Sequence, residues 1–138
     1  MNQNKDFLLA NLAYRNNIEF LGLGHGDASC VIIYTENQIE KISDILSFLR
    51  FNEEDIYLLP YKDTPVIDEC IGIIKPVIVA STDATFNSKL KLKIGKVTKH
   101  DKYGKILALE DPCAIIDKNE AKRNWLQLSK LIAEGKLC

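Results

Sequence analysis

The stretch GLGHGDASC, residues 22–30, sets His25, Asp27, Ser29 and Cys30 within six residues, interleaved with glycines. Two chemistries come into question. Cys30 could act as a nucleophile with His25 as its base, or the glycines could cradle a phosphate. The spacing fits neither well. No helix begins directly after the glycines to offer its N-terminus, no Lys-Ser/Thr pair follows them, and Cys30 opens an apolar run in which thiols are usually inert. A turn that needs positive backbone angles at its glycines is the simpler reading. A small hydrolase or nucleotide-binding enzyme built on GHGDASC stands as the weakest alternative, and the expectation is a protein that is not an enzyme. His25, His100 and the scattered cysteines have no spacing that favours zinc, so no metal and no cofactor is expected.

A second kind of chemistry lies further along. From Lys89 to Lys105 the sequence carries seven lysines, Lys89, Lys91, Lys93, Lys96, Lys99, Lys102 and Lys105, against the single acid Asp101. Such a stripe supplies phosphate contacts, which give affinity and register but little sequence choice. The competing reading is a solvated strand face whose lysines protect a sheet edge from mispairing. Tyr61 and Tyr103 offer rings for base stacking, or half-buried packing.

These groups must be positioned by ordered elements. Residues 6–16 carry Leu8, Leu9, Leu12 and Ala13 at helical spacing, stopped at Asn16-Asn17. IEFLGLG (18–24) reads as a short strand, and CVIIY (30–34) as a strand buried on both faces. Thr35 and Gln38 form a capping-box pattern ahead of Ile39, Ile42, Leu46 and Leu49, a helix ending near Phe51-Asn52. DIYLLPY (55–61) is a further strand. Pro65 suits a first helical position, so a short helix should follow and end near Gly72. PVIVAST (76–82) is then a buried strand starting at Pro76, where a proline costs no internal ladder bond. The segment Ile71 to Pro76 becomes a loop. KLKLKIGKV (89–97) alternates like a strand with one wet face, and HDKYGK links it as a hairpin to KILALE (105–110). CAII (113–116) is a last strand candidate. Asp117 and Glu120 form a second capping box, before a helix with Ala121, Trp125, Leu128 and Ile132 on one face.

Strand, helix, strand, short helix, strand between residues 30 and 82 implies an α/β fold. The expected architecture is a three-layer α/β/α sandwich with a central mixed, mostly parallel sheet, plus a C-terminal β-hairpin and helix. One domain spans 1–138, divided into a core (1–95) and an extension (96–138). The composition, 46% hydrophobic and 27% charged, is that of an ordered globular protein. A formal net charge of -1 argues against coating nucleic acid through bulk positive charge. No stretch approaches the roughly 20 apolar residues of a membrane span, and the N-terminus lacks a signal peptide's basic start and apolar centre, so an intracellular location, cytoplasmic or nuclear and nucleolar, is expected. Cys30, Cys70, Cys113 and Cys138 read as reduced thiols.

From Ala28 to Asp83 the chain resembles the central part of the kink-turn RNA-binding ribosomal-protein superfamily, the archaeal "L seven Ae" protein and its relatives in small nuclear and nucleolar RNPs. Ala28 to Asn37 matches its A-x-L-V-I-I-A-E-D strand, IYLLPYKD its V-P-Y-x-x-V-P-S strand, and Gly72-Ile73-Ile74-Lys75-Pro76-Val77-Ile78-Val79-Ala80-Ser81 its G-V-x-R-P-V-x-x-A-S segment. Members that grip kink-turns also carry G-x-N-E-x-x-K. Here LGHGDAS stands in its place, with Gly22 matching the glycine. The resemblance implies a non-enzymatic RNA-binding subunit of a ribonucleoprotein such as a ribosome, snoRNP or RNase P type particle, with structured RNA and protein partners and no membrane. It implies contact through Ile71, Gly72, Ile73, Ile74, Lys75 and Pro76, with Lys89, Lys91 and Lys93 as phosphate partners and Gly22, Gly24 and His25 in a second, altered loop. The superfamily also holds acidic growth-arrest regulators that bind proteins. The alternative is therefore a protein-interaction module that has lost RNA binding.

Overall fold

The computed structural model describes residues 3–19, 21–62, 65–114 and 118–136. It is an α/β/α sandwich around a five-stranded, mostly parallel sheet, as the alternation of elements implies. The strands are β1 (Cys30–Tyr34), β2 (Ile56–Pro60), β3 (Ile78–Ser81), β4 (Val97–His100) and β5 (Gly104–Ala108), in the order β2-β1-β3-β5-β4. All neighbours are parallel except β4, which runs antiparallel to β5. The helices are α1 (Gln3–Arg15), α2 (Ile39–Phe48), α3 (Val66–Ile74), α4 (Ala84–Lys89) and α5 (Lys118–Lys136).

The period of two along each strand sorts the apolar residues into two cores. Val31, Ile33, Tyr57, Leu59, Val79 and Ile106 face a layer made by Leu9 and Leu12 of α1, by Ile67, Cys70, Ile71 and Ile74 of α3, and by Phe86 of α4. Cys30, Ile32, Ile56, Leu58, Ala80 and Leu107 face the opposite layer, made by Ile42 of α2 and by Trp125, Leu128 and Ile132 of α5. With both faces covered, β1, β2 and β3 are buried at every position, which is why they read as unbroken apolar runs.

Local chemistry sets the boundaries. Asn16 donates from Nδ2 to Leu12 O at 2.8 Å and Asn17 has φ 55°, which stops α1. The expected Thr35–Gln38 capping box forms, with Thr35 N donating to Gln38 Oε1 at 2.9 Å, and the Thr35 hydroxyl also donates to Asp83. Asp83 caps α4 by accepting from Phe86 N at 2.8 Å.

Four expectations need correction. Helix α3 does not end near Gly72 but continues through Ile74, where Lys75 at φ 53° terminates it. Val66, Ile67, Cys70, Ile71 and Ile74 form one apolar stripe, and its burial outweighs the roughly 1 kcal/mol that a helical glycine costs. The strand after it starts at Ile78 rather than Pro76. Second, the stretch 18–24 makes one bridge and no strand: Leu23 exchanges both backbone bonds with Leu58, at 2.9 and 2.8 Å. Third, the run 89–97 is no continuous strand. Lys89 closes α4, Lys91 takes φ 55° in the following turn, and apart from an isolated bridge between Ile94 and Ala108 only 97–100 pair with β5. Leu90 and Leu92 pack on the first core instead of alternating along a strand. Fourth, the C-terminal hairpin and helix are no appendage. β5 lies between β3 and β4, and α5 supplies much of the second core. In the last strand candidate Ile115 and Ile116, and in the second capping box Asp117, lie outside the described residues, as does Cys138; Cys113 and Ala114 form a turn.

Candidate nucleic-acid interface

Of the residues expected to touch RNA, the first group divides by burial. Ile71 and Ile74 are 5% and 1% exposed and belong to the core, so they present nothing to a ligand. Ile73 and Pro76 are half-buried, Ile73 against that same core, and Gly72 and Lys75 are exposed. What was expected as a six-residue loop is thus a helix end with Lys75 at its tip.

That tip lies beside the glycine-rich turn. Lys5 of α1 donates from Nζ to Ile74 O at 3.0 Å, a cation on the negative end of α3. One residue on, Asp6 accepts from Gly26 N at 2.6 Å and stands 3.7 Å from His25 Nδ1. Val77 N donates to Ser29 O at 2.8 Å, joining the chain after Pro76 to the chain before β1. Gly24, His25, Lys75 and Pro76 therefore gather at the amino ends of β1 and β3, knit together by α1. Gly22 is pinned further along, against β2: a Cβ there would lie 2.5 Å from Tyr57 Cε1 and 2.6 Å from Leu58 O.

Cys30 has no exposed surface, and burial pushes its thiol well above the usual range. At neutral pH it is no thiolate, and His25 faces Asp6. Cys30, Cys70 and Cys113 are free thiols. Among the described residues no cluster of three or more His, Cys, Asp or Glu could hold a metal ion, and no helix is long and apolar enough to cross a membrane.

The lysine segment occupies a different place. Lys89 closes α4 and Lys91 follows it, and α4 starts from the carboxyl end of β3, whereas Lys75 precedes the amino end of that strand. Gly95 N donates to Ala108 O at 2.8 Å, so Lys93 and Lys96 flank the carboxyl end of β5, and β4 then carries Lys99 back to the hairpin tip with Lys102. All seven lysines are exposed. Behind them runs an aromatic stack: Tyr61 and Phe86 at 6.0 Å between centroids, Phe86 and Tyr103 at 5.5 Å, Tyr103 and His100 at 4.9 Å. Lys89 Nζ stands 5.9 Å from the Tyr61 ring centre. The Tyr103 hydroxyl donates to Asp68 of α3, and Lys102 Nζ reaches the same carboxylate at 3.1 Å. Burial and that hydrogen bond raise the Tyr103 pKa. Tyr103 packs against both Phe86 and His100, and Tyr61, His100 and Tyr103 are all half-buried.

Two features escaped the sequence. At the carboxyl ends of β1 and β3, where the chain leaves in opposite directions, Thr35, Gln38, Thr82, Asp83 and Asp111 form one hydrogen-bonded chain, buried at Gln38, Thr82 and Asp83. The Thr35 hydroxyl donates to Asp83 Oδ2 at 2.8 Å, the Thr82 hydroxyl to Gln38 Oε1 at 2.6 Å, and Gln38 Nε2 to Asp111 Oδ1 at 2.9 Å. In open α/β sheets that crevice commonly takes ligands, but here the protein's own side chains fill it and satisfy one another. Only the Thr35–Gln38 spacing signalled it; the partners lie up to 73 residues away. The other feature is an open groove of about 720 Å³ beside β2, lined by Leu23, His25, Leu46 and Phe51 with Glu53 and Glu54. The chain matches no protein-family model and no curated protein.

Proposed function

We propose that this chain is a non-enzymatic RNA-binding subunit of a ribonucleoprotein, holding structured RNA along the lysine-bearing edge of its sheet. One observation carries the reading. Segment 89–105 exposes every one of its seven lysines, from the end of α4 through β4 to the β4–β5 hairpin, with partly open rings at Tyr61 and His100. Lysines in such a row neutralise successive phosphates, and partly open rings suit splayed bases better than a regular helix. The resemblance to kink-turn binders supports the same class, although Ile71 and Ile74 take no part. Lys75, Pro76 and Gly72 lie outside that segment, at the end of α3, the helix whose Asp68 holds Lys102.

The experiment is binding of a structured RNA, followed by fluorescence anisotropy across a salt series. The expected log affinity falls linearly with log salt, by roughly 0.7–0.9 for each phosphate contacted. A flat response, or no binding at low salt, refutes the proposal. A protein-binding role is the second reading, favoured by large apolar side chains left in solvent: Phe7 is 71%, Tyr14 83% and Phe48 76% exposed.

A further inference from the structure

The groove beside β2 has the wrong charge for RNA and the right shape for something else. Its floor is apolar, formed by Leu46, Phe51, Ile56 and Leu58, and Leu23 overhangs it with 49% of its surface exposed. Glu53 and Glu54 stand on its rim, exposed and without an ion pair among the described residues. Ser43 and Ser47 add hydroxyls from α2. His25 is the sole lining residue able to carry positive charge, and it stands 3.7 Å from Asp6.

We propose that this groove docks a short segment of a partner protein that presents lysine or arginine beside apolar anchors. The charge pattern selects that occupant. Two unpaired carboxylates repel a phosphate backbone and attract a cationic segment, while the apolar floor rewards burial of its leucine-like side chains. Leu23 is held by backbone bonds to Leu58, and its half-exposed side chain offers apolar surface at the groove. The volume, about 720 Å³, holds a few large side chains and not a whole domain. The two edges then serve different partners, RNA at β4 and a basic protein segment at β2. This docking does not depend on the RNA reading.

The test uses the full chain and three fluorescein-labelled synthetic peptides of equal length: leucine with lysine at helical spacing, the same leucines with glutamate, and lysine without leucine. Anisotropy should show the leucine-lysine peptide binding at least about tenfold more tightly than either other peptide. Glu53→Lys/Glu54→Lys should weaken it at least about tenfold, and Leu23→Ser, which keeps the backbone bridge, by about three- to tenfold. The charge-matched variant Asp44→Lys/Asp101→Lys, at residues that do not line the groove, should leave it within about twofold. Melting curves confirm that each variant is folded, and Glu53→Gln/Glu54→Gln gives the same reading if charge reversal unfolds the chain. Equal binding of the three peptides, an equal loss in Asp44→Lys/Asp101→Lys, or displacement of the peptide by a structured RNA would each overturn the proposal.

Discussion

Along β4, Lys96, Lys99 and Lys102 stand exposed around Asp101, whereas the turn leading into β2 carries Glu53, Glu54 and Asp55. A formal net charge of -1 averages these two edges into something that describes neither. The edges are also closed differently. β2 is crossed by the chain at Leu23, with Gly22 and Gly24 pressed against it, so its edge is sealed by close backbone approach. β4 has no neighbour on its outer side among the described residues and relies on short length and lysines, two common means of discouraging a stray strand. One edge is protected by fit and the other by charge, and each leaves a surface of its own sign for a partner.

The sharpest way to break that contrast is to add one methyl group to each edge. At Gly22 a Cβ would meet Tyr57 Cε1 at 2.5 Å and the Leu58 carbonyl at 2.6 Å, neither of which can yield cheaply. Gly22→Ala should cost on the order of 3 kcal/mol. At Gly104, in the β4–β5 hairpin, a Cβ meets nothing within 4 Å, and the cost is only that of holding alanine at φ 74°. Gly104→Ala should cost about 1–2 kcal/mol. Urea unfolding of both variants measures the difference; equal losses would mean that the β2 edge is not sealed by contact.

Next in size is the change in RNA affinity. Lys89→Ala/Lys91→Ala/Lys93→Ala removes three exposed cations from the start of the basic edge, and should flatten the salt slope by roughly two to three units if each meets a phosphate. Lys75→Ala, at the end of α3 and outside segment 89–105, should leave the slope unchanged. If Lys75→Ala alone flattens it, the RNA lies at the amino ends of β1 and β3, and the assignment of the two edges changes.

The polar tie behind the basic edge gives a smaller effect. Tyr103→Phe keeps the ring between Phe86 and His100 but removes the hydroxyl that donates to Asp68. A loss of about 1–2 kcal/mol is expected, because Lys102 still partners that carboxylate. Amide exchange should accelerate in residues 98–106 more than in β2, and uniform acceleration would show that Asp68 does not anchor the hairpin selectively.

What the sequence disclosed follows from which interactions are local. CVIIY and DIYLLPY were legible because strands covered on both faces are apolar throughout, and α2 because Ile42 and Leu46 recur at helical spacing. The end of α3 was not. Gly72 and Pro76 argued for a break, and only tertiary burial of Ile71 and Ile74 against β-strands far away in sequence overrides them. The place of β5 was hidden for the same reason: nothing in KILALE says that it slots between β3 and β4. The candidate site fared likewise. The lysines were visible as a run, but their separation from Lys75 depends on α4, which starts at Asp83, and on the turn at Lys91. The acidic groove was invisible, since Leu23, Leu46, Phe51 and Glu53 meet only after Leu23 has paired with Leu58.

The smallest expected effect concerns the interior that both edges share. Cys70 of α3 is buried against Tyr57 of β2, and burial, partly offset by the hydrogen bond from Tyr57, pushes its thiol from 9.0 up to about 12. Cys30 and Tyr57 are shifted in the same direction, chiefly by burial. A group whose folded pKa is raised holds its proton more tightly when folded, so its contribution is complete below the unfolded value of 9.0 and is lost as pH rises towards about 12. Melting temperature should therefore fall between about pH 8 and about pH 10.5, and fall less in Cys70→Ala than in the parent chain. A shallower decline in Cys70→Ala assigns the alkaline sensitivity to the α3–β2 contact, and a parallel decline in the two chains would refute that assignment.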